Sequence, residues 1–284
     1  MILAVVAMLV CPRVFGQTGT VVSGLVKDNA VISDISVPSF AGDATLDQTL
    51  EYLAGQISEV FTSEVKKIGI GVPSVVDVEK GIVYEAANIP SWKEVHLKDF
   101  LENRFGVPVN INNDANCYAM GAYGRLSEAS SPDVLVTVTL GTGLGIGVVD
   151  HGRLFCGHNC GVGELGYIGY KDGCLEEYCS RQFFDRYGVQ CHDAAAAAMN
   201  GDADAIGLFN EFGKNLGYAV CLLMYAYDPS YIVFGGGIAN ALPLFRSSME
   251  GYVREHFPFR KNFDKLQFEA MTGNDIPIIG ASLI

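Results

Sequence analysis

Two stretches of this 284-residue chain, about half its length apart, follow one plan. Gly24 to Ile32 (GLVKDNAVI) and Gly147 to Phe155 (GVVDHGRLF) each read as a strand, a polar turn and a second strand. Each follows a Gly/Thr-rich loop, GQTGT at Gly16–Thr20 and LGTGLG at Leu140–Gly145. A repeat at half the chain length predicts two similarly built domains and excludes a solenoid, whose period is about 20–50 residues. The rest of the chain alternates apolar strands with helical spacing. Leu46–Phe61, Leu97–Phe105, Ala115–Leu126, Asp202–Tyr227 and Leu242–His256 read as helices. Strands are expected at Ile68–Pro73, Val107–Asn112, Val134–Leu140 and Tyr231–Phe234. Such interleaving predicts an α/β fold with covered sheets.

Charge narrows the partners. The chain carries 19 Lys and Arg against 32 Asp and Glu, a formal net charge of −13. A nucleic acid or an anionic membrane wants a basic footprint, so neither is expected. A small anionic ligand stays open, because backbone amides can hold phosphate without a cation. Eight cysteines in a chain of this size need not form disulfides, and a reducing, cytoplasmic setting is expected. Met1–Val10 is apolar, and no basic residue precedes it as a signal peptide requires. It reads as a buried first strand, and no stretch is long enough for a membrane span.

Some of the 33 glycines fall in loops where chemistry is expected. LGTGLG follows the strand Val134–Thr139, and Gly235–Gly237 follow Tyr231–Phe234. Glycine just after a strand lets N–H groups approach a phosphate closely. Neither loop fits the Gly-Lys-Ser/Thr pattern or the dinucleotide fingerprint. Asn112-Asn113-Asp114-Ala115-Asn116 ends a strand and opens a helix. Asn113 or Asp114 can serve as the N-cap; Asp114 can equally act as a general base at a strand's carboxyl end. Glu164 in GELG and Glu176 in GCLE add carboxylates suited to sugar hydroxyls.

The ordered set NDAN, LGTGLG, GELG, GCLE, DPSYIVFGGG and IIGA resembles the ROK family of sugar kinases and sugar-responsive repressors, from about Gly69 to the C-terminus. The resemblance implies two ribonuclease-H-like domains of the actin-like ATPase type flanking a cleft. The expected division is 1–114 with 275–284 against 115–274. It further implies ATP-dependent phosphorylation of a hexose or N-acetylhexosamine with Mg²⁺, by a homodimer. Asp114 matches the catalytic base, and Asn113, Glu164 and Glu176 match the residues that hold sugar hydroxyls. Gly19 and Thr20 match part of the first phosphate loop, Gly141, Thr142 and Gly143 the second, and Gly235, Gly236 and Gly237 the adenosine loop. Gly71 and Pro73 fall in a G-x-P segment before the sugar site.

Three departures stand out. Where the family has the Asp of D-x-G-G-T, this chain has Phe15 or Gly16. Tyr167 replaces the family histidine that serves both zinc and sugar, and only Cys174 remains of the cysteine cluster, so no structural zinc is expected. Ala122 replaces a helical Glu. The first departure keeps a catalytically impaired sugar-binding protein in view as the alternative. A transcriptional regulator is disfavoured by the net charge and by the some fifteen residues ahead of the first loop.

Overall fold

A computed structural model describes residues 3–10, 20–40, 43–86, 89–126 and 132–284. In chain order the elements of the first stretch are β1 (Leu3–Val10), β2 (Thr20–Lys27), β3 (Ala30–Pro38), α1 (Leu46–Val60), β4 (Lys67–Val72), β5 (Val75–Asp77), β6 (Ile82–Tyr84), β7 (Glu94–Val95), α2 (Leu97–Phe105), β8 (Val109–Asn113) and α3 (Asp114–Arg125). The second stretch holds β9 (Val134–Leu140), β10 (Leu144–Asp150), β11 (Arg153–Leu154), β12 (Gly169–Tyr170), β13 (Gly173–Cys174), α4 (Leu175–Cys179), α5 (Arg181–Asp185), α6 (Cys191–Met199), α7 (Ala203–Tyr227), β14 (Tyr231–Gly235), α8 (Leu242–His256), α9 (Arg260–Phe263), β15 (Gln267–Ala270) and α10 (Asp275–Leu283). The helices expected from sequence are present, with ends within a residue or two.

The repeat is structural. One five-stranded sheet has the order β3-β2-β1-β4-β8, and the other β11-β10-β9-β14-β15. In the first, β1 pairs antiparallel with β2 and parallel with β4, and β4 runs parallel to β8. In the second, β9 pairs antiparallel with β10 and parallel with β14, and β14 runs parallel to β15. Within the apolar N-terminal run, β1 (Leu3–Val10) is therefore the central strand of its sheet.

The chain divides into two compact units, Met1–Ser131 with Leu154–Val162 and Asn274–Ile284, and Pro132–Arg153 with Gly163–Gly273. The sequence boundary at 114/115 would separate α3 from the strand it caps. In the structure α3 stays with the first unit because it packs on α10 and on β4 and β8.

In the first unit, the two faces of the sheet are covered separately. One face is buried with Leu53, Ile57, Ile68, Ile70, Ile111 and Trp92, whose indole N–H donates to Thr49 Oγ1 at 2.7 Å. On the other, Val22 and Val26 meet Cys117, Ile278 and Ala281 of α3 and α10. These two helices touch backbone to backbone. A Cβ on Gly280 would strike the Cys117 carbonyl, and one on Gly121 the Ile276 carbonyl, so both positions require glycine. The second unit is built on α7, which packs along α8. Phe183, Phe184, Phe209, Phe212 and Phe245 are almost wholly buried there, with neighbouring ring centroids 5.2–5.4 Å apart. Such contacts add modestly to burial of the rings themselves.

Candidate active site

In the first unit the parallel strands β1, β4 and β8 place Met8, Gly71 and Asn112 in one row. The carboxyl ends of β4 and β8 therefore reach the same edge, the position where open α/β sheets take ligands. Here β8 passes directly into α3 at Asn113-Asp114. Asn113 is the N-cap, its side-chain oxygen accepting the Ala115 N–H at 2.8 Å. Its amide Nδ2 donates to the Ser74 carbonyl at 3.3 Å, just beyond Pro73. Asp114 Oδ1 accepts the same Ala115 N–H at 2.9 Å, which fixes the rotation of a half-buried carboxylate. Thus Asn113 takes the cap, and Asp114 is the first residue of the helix.

A buried polar knot underlies this turn. Asn112 Oδ1 accepts from the Asn113 N–H at 2.9 Å, from Asn116 Nδ2 at 2.9 Å and from the Cys160 thiol at 2.9 Å. All three side chains, Asn112, Asn116 and Cys160, are buried. Burial, then the charge of Asp114, raises the Cys117 thiol well above its usual range. Cys117 is therefore a packed neutral group. Cys156, Cys174, Cys179, Cys191 and Cys221 are also free thiols.

Thr20 opens β2, opposite Val10 and Pro38. Gly19, Phe15 and Gly16 lie outside the described residues.

In the second unit, β9 ends at Leu140 and the loop Gly141-Thr142-Gly143 leads into β10. The loop is held from several sides. Gly141 N–H donates to the Gly143 carbonyl at 3.1 Å, and Arg181 N–H to the Gly141 carbonyl at 2.8 Å. The buried Glu176 accepts the Leu144 N–H at 3.0 Å on Oε2 and the Gln182 amide at 3.4 Å on Oε1. Parallel pairing sets Gly235 opposite Thr139, so the Gly235–Gly237 loop follows its strand beside the first loop. Gly236 has φ +79°, and a Cβ there would collide with the Leu140 carbonyl. That backbone approach is open to glycine alone.

Both loops border one cavity of about 550 Å³, lined by Gly141, Thr142 and Gly237. This is within the range of small-molecule sites. Its other walls include Arg181 and the face of α6 from Cys191 to Met199, which the motifs did not single out. Burial raises the Cys191 thiol to about 11, so it too is neutral near pH 7.

Glu164 and Tyr167 share a single 3₁₀ turn, Glu164–Tyr167, where both are exposed. Gly166 of that turn lies against Glu176, its ideal Cβ position 3.4 Å from the Glu176 Cβ. GELG and GCLE, separate in sequence, thus form one assembly with the LGTGLG loop. Asn113 and Asp114 belong to the first unit, and Glu164, Tyr167, Glu176 and the two glycine loops to the second. Among the described residues no three His, Cys, Asp or Glu side chains are grouped to hold a metal ion, and no helix is long and apolar enough to cross a membrane.

The chain as a whole is similar to known proteins. The chain is 31% identical to the glucokinase of Halalkalibacterium halodurans over 251 residues, 77% of this chain and 75% of the relative. It is 32% identical to the N-acetyl-D-glucosamine kinase of Aliivibrio salmonicida over 201 residues, 61% of this chain and 66% of the relative. The ROK family glucokinase of Streptomyces griseus, solved with glucose and AMPPNP, superposes with a TM-score of 0.75 at 25% identity, covering 98% of this chain and 97% of that one. The ROK family model matches residues 25–284, and with this extent of match the chain belongs to the ROK family.

Proposed function

We propose that the protein is an ATP-dependent sugar kinase acting on a hydroxyl of a hexose or an N-acetylhexosamine. The observation that carries this reading is the cavity walled by Gly141, Thr142 and Gly237, at the carboxyl ends of β9 and β14. Together with family membership it supports an adenine nucleotide there. Asp114 is the proposed general base, taking the proton of the attacking sugar hydroxyl as its oxygen bonds to the terminal phosphorus of ATP and the bond from that phosphorus to the bridging oxygen breaks, releasing ADP. Its bond from Ala115 N–H favours this role by orienting the carboxylate before substrate arrives. Asn113, Glu164, Glu176 and Tyr167 are proposed to hold sugar hydroxyls, with Tyr167 altering specificity where the family has histidine. Glu176 would do so from the position that also holds the Gly141–Gly143 loop. Gly19 and Thr20 are proposed to keep part of the first phosphate loop.

ATP would arrive with Mg²⁺, which is commonly held through substrate phosphates and one or two carboxylates. Residues 11–20, CPRVFGQTGT, contain no Asp or Glu. On the first-loop side this donor set does not fit a metal held by protein carboxylates, and no step is assigned to one. The same observation favours a second reading, a sugar-binding ROK protein with impaired turnover. A DNA-binding role is set aside by the net charge of −13. A cytoplasmic homodimer is the proposed setting, checked by sedimentation of the purified chain.

An ADP-release assay over hexoses and N-acetylhexosamines tests the reading. Turnover with one sugar class, lost in Asp114→Asn, supports the kinase. A sugar that raises Tm without any ADP release supports the second reading instead.

A further inference from the structure

Arg181 occupies a position that none of the glycine motifs points to. It opens α5 directly after the fully buried Ser180, whose Oγ accepts the Gln182 N–H at 3.2 Å. Its own backbone N–H is bonded to the Gly141 carbonyl at 2.8 Å. The Arg181 backbone is therefore fixed to the first residue of the glycine loop. Its side chain is 23% exposed, pairs with Asp185 at 3.5 Å, and lines the cavity beside Gly141 and Thr142.

The chemistry of the cavity gives this placement meaning. Among the described lining residues Arg181 carries the one permanent charge, and none is Asp or Glu. Asp185, outside the lining, offsets part of this charge from the Nε side, and a guanidinium on the wall of a cavity without carboxylates suits an anionic occupant. The loop alone is a weaker cradle than its glycines suggest, because the Gly141 N–H is spent on the Gly143 carbonyl. A guanidinium compensates well: its planar fork matches phosphate oxygens, and it stays charged at any working pH.

We infer that Arg181 is a phosphate-contacting residue of this cavity, holding the phosphates of the nucleotide against the Gly141–Gly143 loop. The inference rests on the kinase reading of the cavity and adds to it a cation supplied from α5. Phosphoryl transfer proceeds largely by positioning and charge stabilisation, so such a cation serves catalysis as well as binding.

Calorimetric titration of ATP, ADP and adenosine into the wild-type, Arg181→Lys and Arg181→Gln proteins tests it. Both variants keep the backbone bond to Gly141, and a melting curve checks that they stay folded. A charge-assisted hydrogen bond sets the expected loss at about tenfold or more for ATP and ADP in Arg181→Gln. Adenosine affinity should be unchanged, Arg181→Lys intermediate, and the salt dependence of ATP binding reduced in Arg181→Gln. If Arg181→Gln weakens adenosine as much as ATP, or weakens neither, the inference is overturned while the nucleotide reading stands. If the wild type binds none of the three ligands, both fall together.

Discussion

Glu176 gives the sharpest test of how this site is held. Its carboxylate accepts the buried Leu144 N–H at 3.0 Å and the Gln182 amide at 3.4 Å, and the residue is only 7% exposed. Glu176→Ala removes both acceptors and leaves a main-chain donor without its partner inside the protein. An unsatisfied buried donor costs about 1–3 kcal/mol. In a chain of this size each kcal/mol moves Tm by about 2–4 °C, so a fall of several degrees is expected. The loss should also reach the nucleotide, because Leu144 directly follows Gly143. A loop released from this tether should raise the ATP KM about tenfold, equivalent to about 1.4 kcal/mol. Glu176→Gln retains a carbonyl oxygen for the Leu144 N–H and should recover most of the Tm while changing sugar affinity. Differential scanning calorimetry and ATP saturation curves on the three proteins give the answer. An alanine variant that melts with the wild type and keeps its ATP KM would refute the tether, leaving Glu176 a role toward sugar alone.

Three further predictions follow from separate parts of the molecule. Asp114→Asn should lower kcat by about 10²–10⁴-fold, the usual worth of a positioned base, with sugar affinity measured by titration nearly kept; near wild-type turnover would remove Asp114 from the chemistry. Gly236→Ala forces a Cβ onto the Leu140 carbonyl at φ +79° and should cost about 2–4 kcal/mol from strain and overlap, read as a shifted urea midpoint. Tyr231 is raised to about 12 by burial and then by its 2.7 Å bond to Glu269. Because the folded value lies above the unfolded value of about 10, this tyrosine's contribution is complete below pH 10 and is lost as pH rises toward 12. Tyr231→Phe should flatten that alkaline decline in urea melts; an unchanged decline would assign it to other groups, such as Cys191 and Cys221, each raised to about 11.

Legibility in the sequence followed the range of the interactions. Helix positions were readable because periodicity and caps are local: Thr45 caps α1, Asn113 caps α3 and Asp202 caps α7. The two sheets were foreshadowed by the strand-turn-strand repeat, and the glycine loops by the apolar strands before them. What was hidden depends on contacts between distant positions. CHDAAAAAM shows only helix propensity, yet its face walls the cavity. Arg181 stands in RQFFD beside two core phenylalanines, and only the bond to Gly141 reveals its place. Cys160 meets Asn112 across 48 positions, a pairing that no spacing rule announces. Glu176 reads as a sugar ligand because a carboxylate accepts from hydroxyls and GCLE matches the family's sugar-holding position. Its burial against Leu144 adds a structural duty that the motif does not encode.

On the proposed reading the two units put one topology to two chemical uses. In both sheets the inner parallel strands deliver their carboxyl ends to a single edge. On the first sheet that edge carries side chains: Asn113 and Asp114 sit where β8 becomes α3, braced by Asn112 beneath them. On the second it carries backbone, the Gly141–Gly143 and Gly235–Gly237 loops, where a Cβ at Gly236 would strike the Leu140 carbonyl. A proton acceptor needs a fixed side-chain carboxylate, and a capped helix start supplies one. A phosphate chain needs close backbone approach, which glycine permits. On the proposed reading the duplication supplies the scaffold twice, and the residues at each edge would set which half of a phosphoryl transfer it serves. On this view, changes at the first edge should move sugar chemistry and leave nucleotide affinity in place, and changes at the second should do the reverse. Glu176, which lies under the GELG turn and also holds the glycine loop, is the position where that separation should break down.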